Sequence, residues 1–427
     1  MIALVSSWKS SLLETLAELC GGGRGRVLTF IASGWLFVFG MRFVFPAVLP
    51  YFSVEFGLSN ALAGSIITAI WVSYAVAQLP AGLLSDYFNE RSVLVTSMVA
   101  SFASVCLVVA FHSLAVFVAA SILFGLGTGL YGPPRVIALS NVFARHDSTA
   151  IALTFAAGSV GSAALPFVAG IISPQFGWRA AFSFALPVYV LLAIGLWWAV
   201  PHETVDAGVV SADGGTPSDE RRGRRAAVAH LVDAVSDRAI VIAWAGIAMS
   251  LFIFQAITSF LPTYLVVAKD LPESTAATML SVFFLSGAIC QPVAGALADR
   301  YGQGTILASI AGATVLPLLA LAFVGGVGPL LLLSTVLGTR LGLGPINNAY
   351  IVSALPADVQ GAGYGLVRTL HIVVGSTGAV FVGFLADSGF FDEAFIVLAA
   401  VSGAAALLYT QLPEQRPSAR SAPPATD

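Results

Sequence analysis

The chain has 427 residues, 58% of them hydrophobic and 10% charged, and its mean hydropathy of +0.91 excludes a soluble globular domain, whose interior cannot hide that share of apolar surface. The net charge of −3 selects no partner, because the charges sit mostly in loops and tails.

Residues 1–26 form a cytoplasmic N-terminal segment in this reading. Its first stretch, "MIALVSSWKSSLLETLAELC", lacks a basic leader and a cleavage site, and is expected to lie on the membrane surface as a short amphipathic helix. Apolar segments of bilayer-spanning length, roughly 20 residues in a helix, then follow at 27–52, 61–83, 92–112, 114–142, 147–172 and 179–199. Residues 200–238 are the one long polar interruption, and Val228, Leu231, Val232 and Val235 recur there at helical spacing, which predicts a short helix on the inner face. The cluster from Arg221 to Arg225 reads as a positive-inside anchor, with anionic lipid as an alternative partner. Six further segments follow at 239–266, 275–298, 304–324, 329–353, 361–385 and 394–411, and a tail runs over 412–427.

Lys and Arg concentrate on one side of this topology. Lys9, Arg24, Arg26, Arg91, Arg145, Arg221, Arg222, Arg224, Arg225, Arg238, Arg300, Arg416 and Arg420 share a face, against Arg179 and Lys269 on the other. Cytoplasmic loops are enriched in these residues, so both termini are expected in the cytoplasm. The preference for Arg over Lys points to a prokaryotic cell membrane. Cys20, Cys106 and Cys290 are scattered and indicate no disulfide framework.

The halves repeat one another. "QLPAGLLSDYFNER" at 78–91 returns as "QPVAGALADRYGQG" at 291–304, an offset of 213 residues, and the same register pairs Gly125 with Gly338, Gly129 with Gly342, Leu130 with Leu343 and Gly170 with Gly383. The expected fold is therefore an all-α membrane protein whose twelve helices form two pseudo-symmetric six-helix bundles, 27–199 and 239–411.

At this point the chain resembles the major facilitator superfamily. The family's loop motif G-x-L-a-D-R-x-G-R-[RK] is met by Gly82, Leu84, Ser85, Asp86 and Arg91, and again by Gly295, Leu297, Ala298, Asp299, Arg300 and Gly302. The resemblance implies that Gly82, Asp86, Arg91, Gly295, Asp299 and Arg300 form a cytoplasmic gate, with departures from the motif at Tyr87, Asn89 and Glu90. It also implies a central cavity lined by helices 1, 4, 7 and 10, worked by alternating access. The arginine that the family carries early in helix four is Ser121 here, and the Gly-Pro motif of similar antiporters survives only as Gly161, Pro166 and Gly170.

Four arginines, Arg42, Arg135, Arg340 and Arg368, fall inside predicted spans, whereas every Asp and Glu falls in loops, ends or tails. Arginine stays protonated in proteins, and charge at the bilayer centre costs at least about 2.5–3.5 kcal/mol. An anionic substrate is the simplest counter-ion, held by the planar guanidinium fork; the alternative for each is a structural hydrogen bond to a neighbouring helix, and Arg135 can equally snorkel to the headgroups. Gln255, Asn347, Asn348 and Tyr131 are the neutral groups expected to complete the site. His371, three residues after Arg368, is the candidate for a coupling proton. Anion-handling branches of the superfamily, the anion:cation symporters and the organophosphate:phosphate antiporters, are similar in carrying a helix-one arginine, and residues 57–88 resemble the second-helix region of the former.

The reading is a secondary transporter of a small organic or inorganic anion, a functional monomer in lipid. Its alternatives are efflux of neutral or lipophilic drugs and, further off, a transporter-like solute receptor. No catalytic constellation, cofactor motif, metal cluster or nucleic-acid motif is present in the sequence, so an enzyme is not expected.

Overall fold

The computed structural model describes residues 21–143, 147–201, 230, 232–356 and 360–413; side chains at 22, 79, 83, 86, 147, 148 and 360–362 lie outside that description. The expected surface helix at 1–20, the Arg221–Arg225 cluster, Arg145, the tail arginines and the side chain of Asp86 are thus outside the described residues.

Among the described residues, twelve helices are long and apolar enough to span a membrane. They are α1 (Arg24–Ala47), α2 (Asn60–Phe88), α3 (Glu90–Ala110), α4 (Leu114–Val142), α5 (Asp147–Phe176) and α6 (Ala180–Ala199) in the first half, and α7 (Arg238–Val267), α8 (Glu273–Tyr301), α9 (Gln303–Phe323), α10 (Val327–Ala354), α11 (Gln360–Asp387) and α12 (Phe391–Tyr409) in the second. A short helix, Leu49–Phe56, lies between α1 and α2. No strand occurs among the described residues. Hydrocarbon offers the backbone no hydrogen-bond partner, so a chain this apolar satisfies its N–H and C=O groups within helices.

The repeat seen in the sequence is repeated in the backbone. Asn89 and Gly302, 213 residues apart, each form the entire turn between two helices, and both adopt positive φ, 65° and 93°. Glycine takes this conformation freely; asparagine does so at a cost, and its Oδ1 here accepts from the Ser92 amide at 2.9 Å. α4 and α10 are likewise broken near the same level, though not at matching positions of the repeat: at Leu130–Tyr131 before Gly132-Pro133-Pro134, and at a 3-10 turn over Thr339–Gly342.

The two halves meet along α2 with α11 and α5 with α8. Their contacts lie at the end remote from the chain termini, called distal below. Gly64 of α2 faces the Ala379 carbonyl of α11, a Cβ at Gly383 would collide with Asn60, and one at Gly170 of α5 would strike Ala277 of α8; small residues let helices approach this closely. The contact is closed by Asp387 at the C-terminal end of α11, whose carboxylate accepts from the first amides of α2, Asn60 N at 2.7 Å and Ala61 N at 2.8 Å, and from Asn60 Nδ2 at 3.0 Å. These amides have no partner within their own helix, and the positive end of the helix dipole favours an anion there. At the terminus-bearing end the same helices diverge. A Cβ at Gly82, Gly295, Gly344 or Gly365 would meet open space, and Phe155 and Leu366 are exposed.

Candidate functional site

Arg42 lies in the last third of α1. Pro46, one turn later, has no N–H to give the Arg42 carbonyl, which loosens the helix there. The side chain is 1% exposed, and neither Nε, Nη1 nor Nη2 makes a well-formed hydrogen bond, although the Tyr74 hydroxyl lies beside the group. What surrounds it is aromatic: the guanidinium carbon lies 3.7 Å from the Tyr74 ring centre, 5.1 Å from Trp71, 5.3 Å from Phe39 and 5.9 Å from Trp35. Ring faces attract a cation but supply no acceptor geometry for its five N–H groups.

Arg135 of α4 reaches the same region. Its guanidinium lies over Trp35 at 4.0 Å and Phe155 at 4.7 Å, and donates to Thr154 Oγ1 at 2.6 Å, while its Nε has no partner. It therefore turns inward rather than toward headgroups. Arg368 approaches from α11 of the other half, donating to Tyr364 at 3.4 Å. Tyr74 lies within electrostatic range of Arg42, Arg135 and Arg368 together. His371, one turn beyond Arg368, is buried with Nδ1 3.0 Å from the Val367 carbonyl. On the distal side the cavity is capped by Phe43, packed 4.4 Å from Phe284 and 6.0 Å from Phe254 of the second half.

The repeat offset explains which polar residues share this space. Advancing 213 residues carries Arg42 to Gln255, Arg135 to Asn348 and Phe155 to Arg368, so pseudo-symmetry gives each a counterpart on the facing half. Gln255 is 1% exposed, and neither atom of its amide has a partner. Asn348 is half-buried.

Arg340 stands apart. Its Nη1 donates to Thr314 Oγ1 of α9 at 2.5 Å and to Ser402 Oγ of α12 at 2.6 Å, inside the second half. The register accounts for this too: the counterpart of Arg340 is Gly127, whose Cβ would meet Ala100 and Ser101 of α3, and Ser101 is the counterpart of Thr314. Position 340 thus faces α9, not the space between the halves. Asn347 donates to the Tyr409 hydroxyl at 2.9 Å, and the Tyr131 hydroxyl donates to the Ile31 carbonyl at 2.9 Å, so both tie helices together within one half. Tyr74, Trp71, Trp35 and Phe39 are absent from the sequence-derived site. Nothing in their spacing separates them from lipid-facing aromatics; only the position of the arginine does.

Of the gate residues, Asp299 and Arg300 are exposed, with Arg300 5.2 Å from the Tyr301 ring. Arg91 lies over Trp197 of α6 at 4.0 Å, and Glu90, which departs from the motif, accepts from Asn141 of α4 at 3.0 Å. Of the departing residues, Asn89 and Glu90 thus bind within the first half, whereas Tyr87 is exposed.

The chain matches the sequence model described as "Major Facilitator Superfamily" over residues 30–379, and again over 268–426. Among curated proteins, "Probable sulfoacetate transporter SauU" of Cupriavidus necator is 25% identical over 391 residues, covering 84% of this chain and 86% of that protein. "Cis,cis-muconate transport protein" of Acinetobacter baylyi is 23% identical over 350 residues, covering 81% and 84%. "Multidrug resistance protein MdtG" of Rahnella sp. is 29% identical over 168 residues, but the match spans only 38% of this chain and 41% of that protein. Among solved structures, a POT family transporter in complex with 5-aminolevulinic acid superposes with a TM-score of 0.73 at 13% identity, covering 91% of this chain and 95% of that one. A D-xylose-proton symporter superposes with a TM-score of 0.69 at 15% identity, covering 91% and 98%. Twelve helices in two repeated bundles and a family match over most of the length agree: the chain belongs to the Major Facilitator Superfamily and is a membrane transporter, not an enzyme.

Proposed function

We propose that this transporter moves a small anion, held between its two halves by Arg42, Arg135 and Arg368. One observation carries the reading: the Arg42 guanidinium is buried without a carboxylate partner, and none of its nitrogens makes a well-formed hydrogen bond, the Tyr74 hydroxyl being beside it. A cation in that position costs several kcal/mol unless something balances it, and the surrounding rings offset part of that without satisfying its N–H groups. An anion entering from the open end completes the site with charge-assisted hydrogen bonds. The two relatives matched over most of their length carry names of organic-acid transport, which supports the same class.

With the termini in the cytoplasm, as the charge bias favours, the open end faces the cytoplasm and the protein works as a monomer in a plasma membrane. Transport follows when the halves rock, separating at the distal contact and closing at the other end around the bound anion. Asp86 and Asp299 are then the residues that latch the cytoplasmic end, and His371, beside Arg368, is the group available to carry a proton. Arg340, Asn347 and Tyr131 serve the packing of their own halves. A second reading, export of lipophilic acids or neutral drugs, draws on the aromatic walls around Arg42 and the partial match to MdtG.

The test is a melting-temperature screen of purified protein against carboxylates, sulfonates, phosphates, neutral sugars and lipophilic drugs, since a ligand of the folded state raises it. Stabilisation by an anion class in the native protein and none in Arg42→Gln supports the proposal. Stabilisation by neutral drugs alone would replace it with the second reading.

A further inference from the structure

The cavity holds more positive charge than one acid group balances. Arg42 and Arg135 each lie within electrostatic range of the other and of Arg368, and none of the three pairs with a carboxylate among the described residues. A monoanion on such a cluster leaves two uncompensated guanidiniums in a medium that screens poorly. The three are also divided in space. Arg42 and Arg135 belong to the first half and Arg368 to the second, with the Tyr74 phenol among them. Flat aromatic faces line the cluster, Trp71 and Tyr74 beside Arg42 and Trp35 against both Arg42 and Arg135. Positive charge supplied from both halves and lined by aromatic faces matches a molecule with two acid groups on a short apolar frame.

Resting on the anion reading above, we infer that the ligand is a short dianion that bridges the halves, contacted by Arg42 and Arg135 from the first half and by Arg368 from the second. The ligand engages both halves, so binding favours the arrangement in which Arg368 approaches Arg42. A monoanion satisfies only one half and leaves that approach opposed by like charge. Arg368 is thus the residue that tells a diacid from a monoacid, and Arg42 the one that accepts either.

The experiment measures Kd by calorimetry on the full-length protein for a series of diacids, succinate, fumarate, glutarate and adipate, and for the monoamide of each, in which a carboxamide of the same shape replaces one carboxylate. Sulfate is included as a compact dianion without a spacer. The expected result is that at least one diacid binds about tenfold or more tightly than its monoamide, as one additional charge-assisted pair requires. Arg368→Gln should weaken that diacid to the level of its monoamide while changing the monoamide's own Kd by no more than about twofold. Arg368→Lys, which retains the charge, should restore part of the difference, and a melting curve without ligand confirms that each variant is folded. Diacid and monoamide binding equally to the native protein, or Arg368→Gln weakening both alike, overturns the bridge and leaves the anion reading standing; sulfate binding most tightly does the same. If no member of the series binds at all, the bridge falls, and the anion reading falls with it when the sulfonates and phosphates of the screen above also fail to bind.

Discussion

Asp387→Ala removes the carboxylate that ties the distal end of α11 to the start of α2. Three donors converge on that group at 2.7, 2.8 and 3.0 Å. In a dry setting each bond to a charged acceptor contributes about 1.5–3 kcal/mol, but Asp387 is exposed, and water replaces most of what is lost. A charge at a solvated helix terminus is worth about 0.3–1 kcal/mol, and with the discounted hydrogen bonds the total comes to about 2 kcal/mol. All of it belongs to the state in which the distal ends touch, because once they separate the carboxylate and the α2 amides are both hydrated. Removing it shifts the equilibrium toward distal opening by about thirtyfold. Electron-electron distance measurements between spin labels at Val54→Cys and Ser388→Cys, with Cys20, Cys106 and Cys290 replaced by Ser, read this directly; Val54 is 84% exposed and tolerates a label. The expected outcome is a longer-distance population that grows in Asp387→Ala. Gly64→Val is the control, since even a Cβ at Gly64 sits 2.5 Å from the Ala379 carbonyl and forces the same contact apart. If Gly64→Val opens the distal end and Asp387→Ala leaves the distance distribution unchanged, the cap does not hold the closed end and the reasoning fails.

Arg42→Met exchanges an unpaired buried cation for an apolar side chain of similar length, so the ligand-free protein should be more stable by about 1 kcal/mol, the burial cost net of ring contacts, while anion-induced stabilisation disappears. A lowered melting temperature without ligand would make Arg42 structural. Arg340→Ala should do the reverse: it deletes two bonds to Thr314 and Ser402 and leaves a cavity, costing about 2–4 kcal/mol, with the anion preference unchanged in the same screen. Below neutrality the distal surface supplies a further check. Hydrogen bonds from Arg179, with Trp178, hold the Glu55 carboxyl below its usual range. The folded-state pKa is the lower one, so this pairing contributes fully above the ordinary carboxylate value, about pH 4.3, and its contribution is lost as pH falls through the lowered one. Melting curves should therefore show native protein and Glu55→Gln converging as pH falls from 6 toward about 3, and a gap independent of pH would refute the assignment.

The helices and their duplication were legible because hydrocarbon leaves the backbone no choice. Twelve apolar segments could be counted, and the 213-residue repeat read, without any coordinates. Boundaries were less legible: α2 continues to Phe88 and α8 to Tyr301, past the last residues of the predicted spans, because a helix that leaves the membrane continues in water until a turn residue ends it. Those turn residues, Asn89 and Gly302, stand in the loop motif itself.

The candidate site was legible as a set of residue types and not as a constellation. That unpaired arginines in hydrocarbon demand a counter-ion follows from composition and electrostatics alone. Which arginines share a cavity depends on helix rotation, and a shift of one residue turns a side chain by roughly 100°. Arg340 and Arg42 look alike in sequence, yet one finds two hydroxyls between α9 and α12 and the other ring faces, with the Tyr74 hydroxyl beside it. The repeat held a clue, since its register pairs Arg42 with Gln255 but Arg340 with Gly127. By itself, then, the sequence determined a duplicated twelve-helix transporter carrying positive charge in its membrane core, because burial and backbone hydrogen bonding are set by residue type and order. Only the tertiary structure decided that Arg42, Arg135 and Arg368 converge on Tyr74 across the two halves, because that convergence depends on how helices far apart in the chain rotate and pack.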